Sequence, residues 1–98
     1  MKTIENKTTE INVNDGIERH TNCTYAKLIE LLVIGYPKQG GFDYKDITHR
    51  MRINDVVKKA NGTIDLEDAD YEYLKKLVES MRWNFVHKDI LQFKDDIC

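Results

Sequence analysis

Asp65-Leu-Glu-Asp-Ala-Asp-Tyr-Glu-Tyr-Leu-Lys-Lys-Leu-Val-Glu-Ser-Met-Arg-Trp83 decides the fold class of this chain. Acids crowd its start at Asp65, Glu67, Asp68, Asp70 and Glu72, and bases follow at Lys75, Lys76 and Arg82. That order complements a helix dipole, positive at the N-terminus and negative at the C-terminus. Leu74, Leu77, Val78 and Met81 recur at helical spacing and form a stripe that needs a covering partner. The segment reads as a core helix of a packed domain.

The helical reading extends outward in both directions. Upstream, Asp43 caps a second helix with Asp46 three residues later, the two halves of a capping box. Ile47, Met51, Val56, Val57 and Ala60 approximate its apolar stripe, and Asn61-Gly62 is expected to end it through a left-handed residue. A break near Arg52-Ile53-Asn54-Asp55 is the alternative to one continuous helix. Further upstream, residues 25 to 34 carry Tyr25, Leu28, Ile29, Leu32 and Val33 on one side, with Thr24 or Asn22 as cap. Leu31 and Ile34 widen that stripe, as in a central helix. Gly35 and Pro37 stop it, and Lys38-Gln39-Gly40-Gly41 forms a loop suited to facing a partner. Thr63-Ile64-Asp65-Leu66 reads as a short strand unless Asp65 caps the next helix. Downstream, Trp83-Asn84-Phe85-Val86 alternates like a strand, and Ile90, Phe93 and Ile97 mark a last short helix.

Residues 1 to 22 are polar and read as an N-terminal arm or edge strand ahead of a helical domain at 23 to 98. Within them Thr9-Glu10-Ile11-Asn12-Val13 alternates polar and apolar, and Asn14-Asp15-Gly16 supplies a turn. The expected architecture is mainly α within the α+β class. It is a small bundle of about four helices with a minor two- or three-stranded β element.

Ninety-eight residues make one domain, and 41% hydrophobic against 33% charged residues places it among globular chains. A net charge of −2 gives no global basic field for nucleic acid. Charge is uneven along the chain, because Lys45, Arg50, Arg52, Lys58 and Lys59 precede the acids of residues 65 to 72. No run approaches the roughly 18 apolar residues of a membrane span, so no membrane partner is expected. Cys23 and Cys98, with no apolar leader ahead of them, suggest free thiols in the cytoplasm.

Four constellations bear on function. Residues 42 to 60 have the flavour of a helix-turn-helix, with Ile47 and Met51 in the first helix and Val56 or Val57 in the second. Arg50, Arg52, Lys58 and Lys59 would then contact phosphates, but Arg52 stands at the turn position that favours glycine. His20 and Cys23 suit one metal, yet His49, His87 and Cys98 are isolated, short of the usual four ligands, so no metal or cofactor is expected. Neither cysteine has a base beside it in sequence, and no phosphate-binding glycine motif occurs, so an enzyme is not expected. Nine aromatic residues in so small a chain favour a partner-binding surface. Its candidates are Tyr36, Phe42 and Tyr44 around the glycine loop, Arg50 and Arg52 on the second helix, and Tyr71 and Tyr73 on the third. Tyr71 and Tyr73 lie two apart on a helix, so one of them must be exposed or seal a helix junction.

Ile64-Asp-Leu-Glu-Asp-Ala-Asp-Tyr-Glu-Tyr-Leu-Lys-Lys-Leu-Val-Glu79 leading into Met81-Arg82-Trp83, within residues 42 to 97, resembles the small accessory proteins encoded by bacterial viruses. That resemblance implies a protein-binding role in virion assembly or in inhibition of a host factor, in the host cytoplasm or the virion. The sequence thus points to a non-catalytic module that binds another protein or itself. A winged-helix-like DNA-binding regulator is the second reading.

Overall fold

Residues 2 to 5 pair antiparallel with residues 63 to 66, so the first residues of the chain are tied into the middle of the fold. The computed structural model describes residues 1–14, 17–35, 40–83 and 86–98. In chain order the elements are β1 (Lys2–Glu5), β2 (Val13–Asn14), β3 (Arg19–His20), α1 (Tyr25–Gly35), α2 (Tyr44–Lys59), β4 (Thr63–Leu66), α3 (Asp68–Ser80) and α4 (Lys88–Ile97). This is an α+β fold of four helices with two small antiparallel two-stranded sheets, β1–β4 and β2–β3.

The β1–β4 register sets Ile4 opposite Ile64 and Lys2 opposite Leu66. Ile4, Ile64 and Leu66 are buried while their neighbours along the strands are exposed, the two-residue alternation of a half-buried sheet. The alternation expected at residues 9 to 13 also holds in burial, with Thr9 and Ile11 inside and Glu10 and Asn12 outside. Regular pairing there is confined to β2 and β3, with Val13 opposite His20. Single bonds stitch the rest: Thr9 N donates to Cys23 O at 2.9 Å, and Cys23 N to Ile11 O at 3.0 Å. Ile4 and Ile11 both belong to the core cluster, so residues 1 to 22 contribute side chains to the same core as the helices.

The helices begin largely where their capping residues place them. Thr24 Oγ1 accepts from Lys27 N at 3.2 Å at the head of α1. Asp46 N donates to Asp43 Oδ1 at 2.8 Å and Asp43 N to Asp46 Oδ2 at 3.2 Å, the capping box of α2. For α3 the N-cap is Glu67 without a side-chain bond, and Asp65 stays in β4, accepting from Thr3 Oγ1. His87 Nδ1 accepts from Asp89 N at 3.0 Å and caps α4. The expected left-handed exit of α2 does not occur. Ala60 turns extended, at φ −66° and ψ 142°, and feeds the chain straight into β4. The strand expected at residues 83 to 86 falls partly on Asn84 and Phe85, outside the described residues.

Buried apolar side chains from every helix meet with β1 and β4 in one core. Leu74 and Val78 of α3 and Phe93 and Ile97 of α4 take the positions their spacing predicts. Phe93 is the aromatic hub, edge-on to Tyr25 at 5.2 Å and to Trp83 at 6.4 Å between ring centroids.

Tyr25 also ties α1 to α4, because its hydroxyl donates to Asp96 Oδ2, which Lys7 Nζ approaches to 3.0 Å. Burial and the adjoining Asp96 carboxylate push the Tyr25 hydroxyl pKa up. The Tyr25 hydrogen bond, with Lys7 and Gln92, holds the Asp96 carboxyl below its ordinary value. A depressed carboxyl stabilises the fold above its unfolded pKa, near 3.9, and that stability is lost as pH falls through the folded value. A raised phenol stabilises the fold below about pH 10 and loses that stability as pH rises beyond it. Tyr25→Phe should therefore cost about 1.5–3 kcal/mol at neutral pH, the range for a hydrogen bond to a charged group. The gap from wild type should narrow below about pH 4 and above about pH 10. Urea unfolding across pH checks this, and parallel stability curves for the two proteins would refute it.

Candidate docking face on the second helix

In its first three turns α2 is inside out. A helix on a core normally turns its apolar stripe inward and its charges outward. Here Asp46, Arg50 and Asn54 are buried together with Ile53 and Val57. Ile47 and Met51, expected in the core, are each 46% exposed, and Tyr44 is 90% exposed. The expected stripe holds at Val57, which is buried, and at Val56 and Ala60, which pack against the core, and fails at Ile47 and Met51, where its phase is wrong. Positions 46, 50, 53, 54 and 57 follow the 3.6-residue period equally well, and specific polar partners inside the protein select them.

Two polar connections hold α2 in this rotation. In the first, the Arg50 guanidinium reaches the end of α1, where its NH1 donates to Val33 O at 3.1 Å and to Leu32 O at 3.5 Å. Carbonyls of the last helical turn lack partners within their helix, and α1 has no base in its own last turn. Arg50 therefore serves as the C-terminal cation of a helix to which it does not belong. Its Nε donates to Tyr73 Oη at 3.0 Å, and Tyr73 in turn donates to Asp46 Oδ1 at 3.0 Å. Phe42 lies over the guanidinium, 4.5 Å from ring centroid to Cζ.

The second connection centres on Asp70, whose side chain is 5% exposed in the first turn of α3. His49 Nδ1 lies 2.7 Å and Arg52 NH2 3.2 Å from its Oδ1. The His49 ring stacks on Tyr73 at 4.8 Å, 15° from parallel. Asn54 Oδ1 is buried without a hydrogen-bond partner among the described residues.

These contacts redistribute the expected binding residues. Arg50, expected on the surface for a partner or for phosphates, is 4% exposed and spends its donors inside the protein. Tyr71 and Tyr73 are half-buried and seal two helix junctions, Tyr71 by donating to Ile97 O at 2.6 Å and Tyr73 through Asp46. Phe42, Tyr44, Arg52, Lys58 and Lys59 are exposed. Tyr36 lies outside the described residues. Gly40 and Gly41 follow at φ 85° and 83°, the left-handed region glycine tolerates best. Residues 44 to 59 make the one continuous helix of the first reading, with Ile53 and Asn54 buried in its middle, so neither the alternative break near Arg52 to Asp55 nor the helix-turn-helix alternative forms.

The outward face of α2 then presents Tyr44, Ile47 and Met51 at spacings of three and four, one contiguous apolar strip. Exposed Phe42 precedes it, and exposed Ile34 closes α1, at the end of the helix that Arg50 reaches. Periodicity alone could not reveal this face, since the same residues fit an inward stripe. The one sequence signal was the row Asp46, Arg50 and Asn54 at four-residue spacing, polar side chains of a size and type that can satisfy one another or a helix end.

The other candidate chemistry is accounted for locally. Among the described residues Glu10, His87 and Asp89 form the one group of three metal-capable side chains. Asp89 Oδ2 already accepts from Glu10 N at 2.9 Å, and His87 Nδ1 caps α4. Burial pushes the Cys23 thiol pKa up, which favours the unreactive protonated form. No helix among the described residues is long and apolar enough to cross a membrane. No protein-family model, curated protein or solved structure matches the chain.

Proposed function

We propose that the protein is a non-catalytic binding module that docks on another protein through the outward face of α2. The observation that carries this reading is the apolar strip Tyr44, Ile47 and Met51, held outward by buried polar contacts along the inward flank of the same helix. Single exposed apolar residues are ordinary, but a contiguous strip on a rigid helix suits an interface. Helix-in-groove and helix-on-helix recognition use such anchors at three- and four-residue spacing. Within the resemblance to accessory proteins of bacterial viruses, such a module would act in virion assembly or in blocking a host factor.

The double variant Ile47→Glu/Met51→Glu tests the face. Both side chains already meet solvent, so the stability change should stay within about 0.5 kcal/mol. Cross-linking in the producing cells, followed by mass spectrometry, should show a partner bound by the wild type and lost by the variant. A variant that keeps every partner, or unfolds several kcal/mol more easily, would sink the proposal.

A further inference from the structure

We infer that the partner presented to α2 is an acid-flanked amphipathic helix, an inference that rests on α2 being the docking face. Beside the strip run Lys45, Arg52 and Lys59, all exposed and spaced seven residues apart. At about 100° per residue they stand on one flank of Tyr44 and Met51, and the opposite flank is occupied by buried Arg50 and Asn54. The rim of the face is therefore basic on one side only. Lys45 and Lys59 hold no ion pair among the described residues, and Arg52 meets Asp70 while remaining 56% exposed. Farther along the face Asp55 and Lys58 are exposed one and two turns beyond Met51, so the apolar contact ends there, and Lys59 closes the basic rim.

Seven residues of helix advance about 10.5 Å, and the row drifts only about 20° per heptad. A partner helix lying alongside α2 would bring acids at its own seven-residue spacing against each base in turn. An extended strand repeats its side chains on one face every 6.6–6.8 Å or so and would fall out of step with the row. The chain's net charge is −2, so this basic rim is a local feature and not the edge of a general positive field.

The probes are three labelled helical peptides of about five turns with leucine at the first and fourth heptad positions. Their flanking positions carry Glu, Lys or Gln. In fluorescence anisotropy the Glu-flanked peptide should bind at least about tenfold more tightly than the Lys-flanked one. Lys45→Glu/Lys59→Glu should reverse that order, with Arg52 left in place because it also contacts Asp70. Ile47→Glu/Met51→Glu should abolish binding of all three. Equal binding of all three peptides, lost in Ile47→Glu/Met51→Glu, would overturn the acidic partner and leave the docking face standing. No binding of any peptide, or binding indifferent to Ile47 and Met51, would overturn both. A mixed-sequence DNA duplex that binds more tightly than the Glu-flanked peptide and is lost in Lys45→Glu/Lys59→Glu would overturn the proposal in favour of nucleic acid.

Discussion

Replacing Arg50 by alanine should destabilise the protein by about 3–5 kcal/mol, the range for stripping one partner from a buried charged contact. Three groups lose their donor at once. The carbonyls of Leu32 and Val33 at the end of α1 go unpaired, and Tyr73 keeps its bond to Asp46 but loses the guanidinium that it accepts from. A domain of this size has about 5–15 kcal/mol in total, so the loss is a large share of its stability. Arg50→Lys should recover only part of it, because an ammonium cannot repeat the planar fork that serves Tyr73 and α1 together. Urea midpoints converted with a common slope measure both variants. A shift for Arg50→Ala below about 1 kcal/mol would show that the buried network does not fix α2.

That outcome also bears on docking. Without Arg50 the rotation of α2 loses its hold on α1, and an inward turn of Ile47 and Met51 becomes the natural way to cover apolar surface. The expected order among variants is therefore specific. Ile47→Glu/Met51→Glu leaves stability nearly unchanged and removes binding. Arg50→Ala lowers stability first, and binding follows as the face is lost.

The contrast between α3 and α2 shows what was legible in the sequence and why the rest was not. Along α3 one solution satisfies every local signal: acids at the N-terminus, and Leu74, Leu77, Val78 and Met81 on one side. The structure buries or half-buries all four. The capping box at Asp43 and the cap at Thr24 are local bonds between near neighbours, readable because both partners lie within three residues. In α2 two phases compete. The apolar phase through Ile47 and Met51 loses to one through Arg50 and Asn54, decided by carbonyls 17 and 18 residues away and a tyrosine 23 residues away. No local pattern records such partners. Tyr71 and Tyr73, two apart on α3, reach different neighbours, as helical geometry alone requires. Their hydrogen bonds at the two junctions depend on Ile97 and Asp46, both distant in sequence. The β1–β4 pairing was similarly hidden, because Lys-Thr-Ile-Glu offers a single apolar residue and its partner strand lies some 60 residues on.

Phe93→Ala should cost about 3–5 kcal/mol, the range for truncating a buried aromatic ring. Phe93 is 1% exposed and bridges three parts of the chain, α1 through Tyr25, the segment after α3 through Trp83, and α4 on which it sits. Its loss removes two edge-to-face contacts in addition to the transfer term, and the rings around the void cannot collapse fully because Tyr25 is tethered to Asp96. Trp83 is the single tryptophan, so its emission reports on this site directly. The variant should show a red-shifted native spectrum and a lower urea midpoint in the same experiment. Amide exchange should quicken first in α4, whose hold on the core is Phe93, Ile97 and half-buried Ile90. The polar contacts of α2 involve none of these residues, so the outward strip should keep its geometry while the molecule remains folded. Peptide binding to α2 should then be unchanged at low denaturant and fall only with global unfolding. Binding that weakens in proportion to the Trp83 shift under native conditions would show instead that the α2 face and the Phe93 hub form one cooperative element.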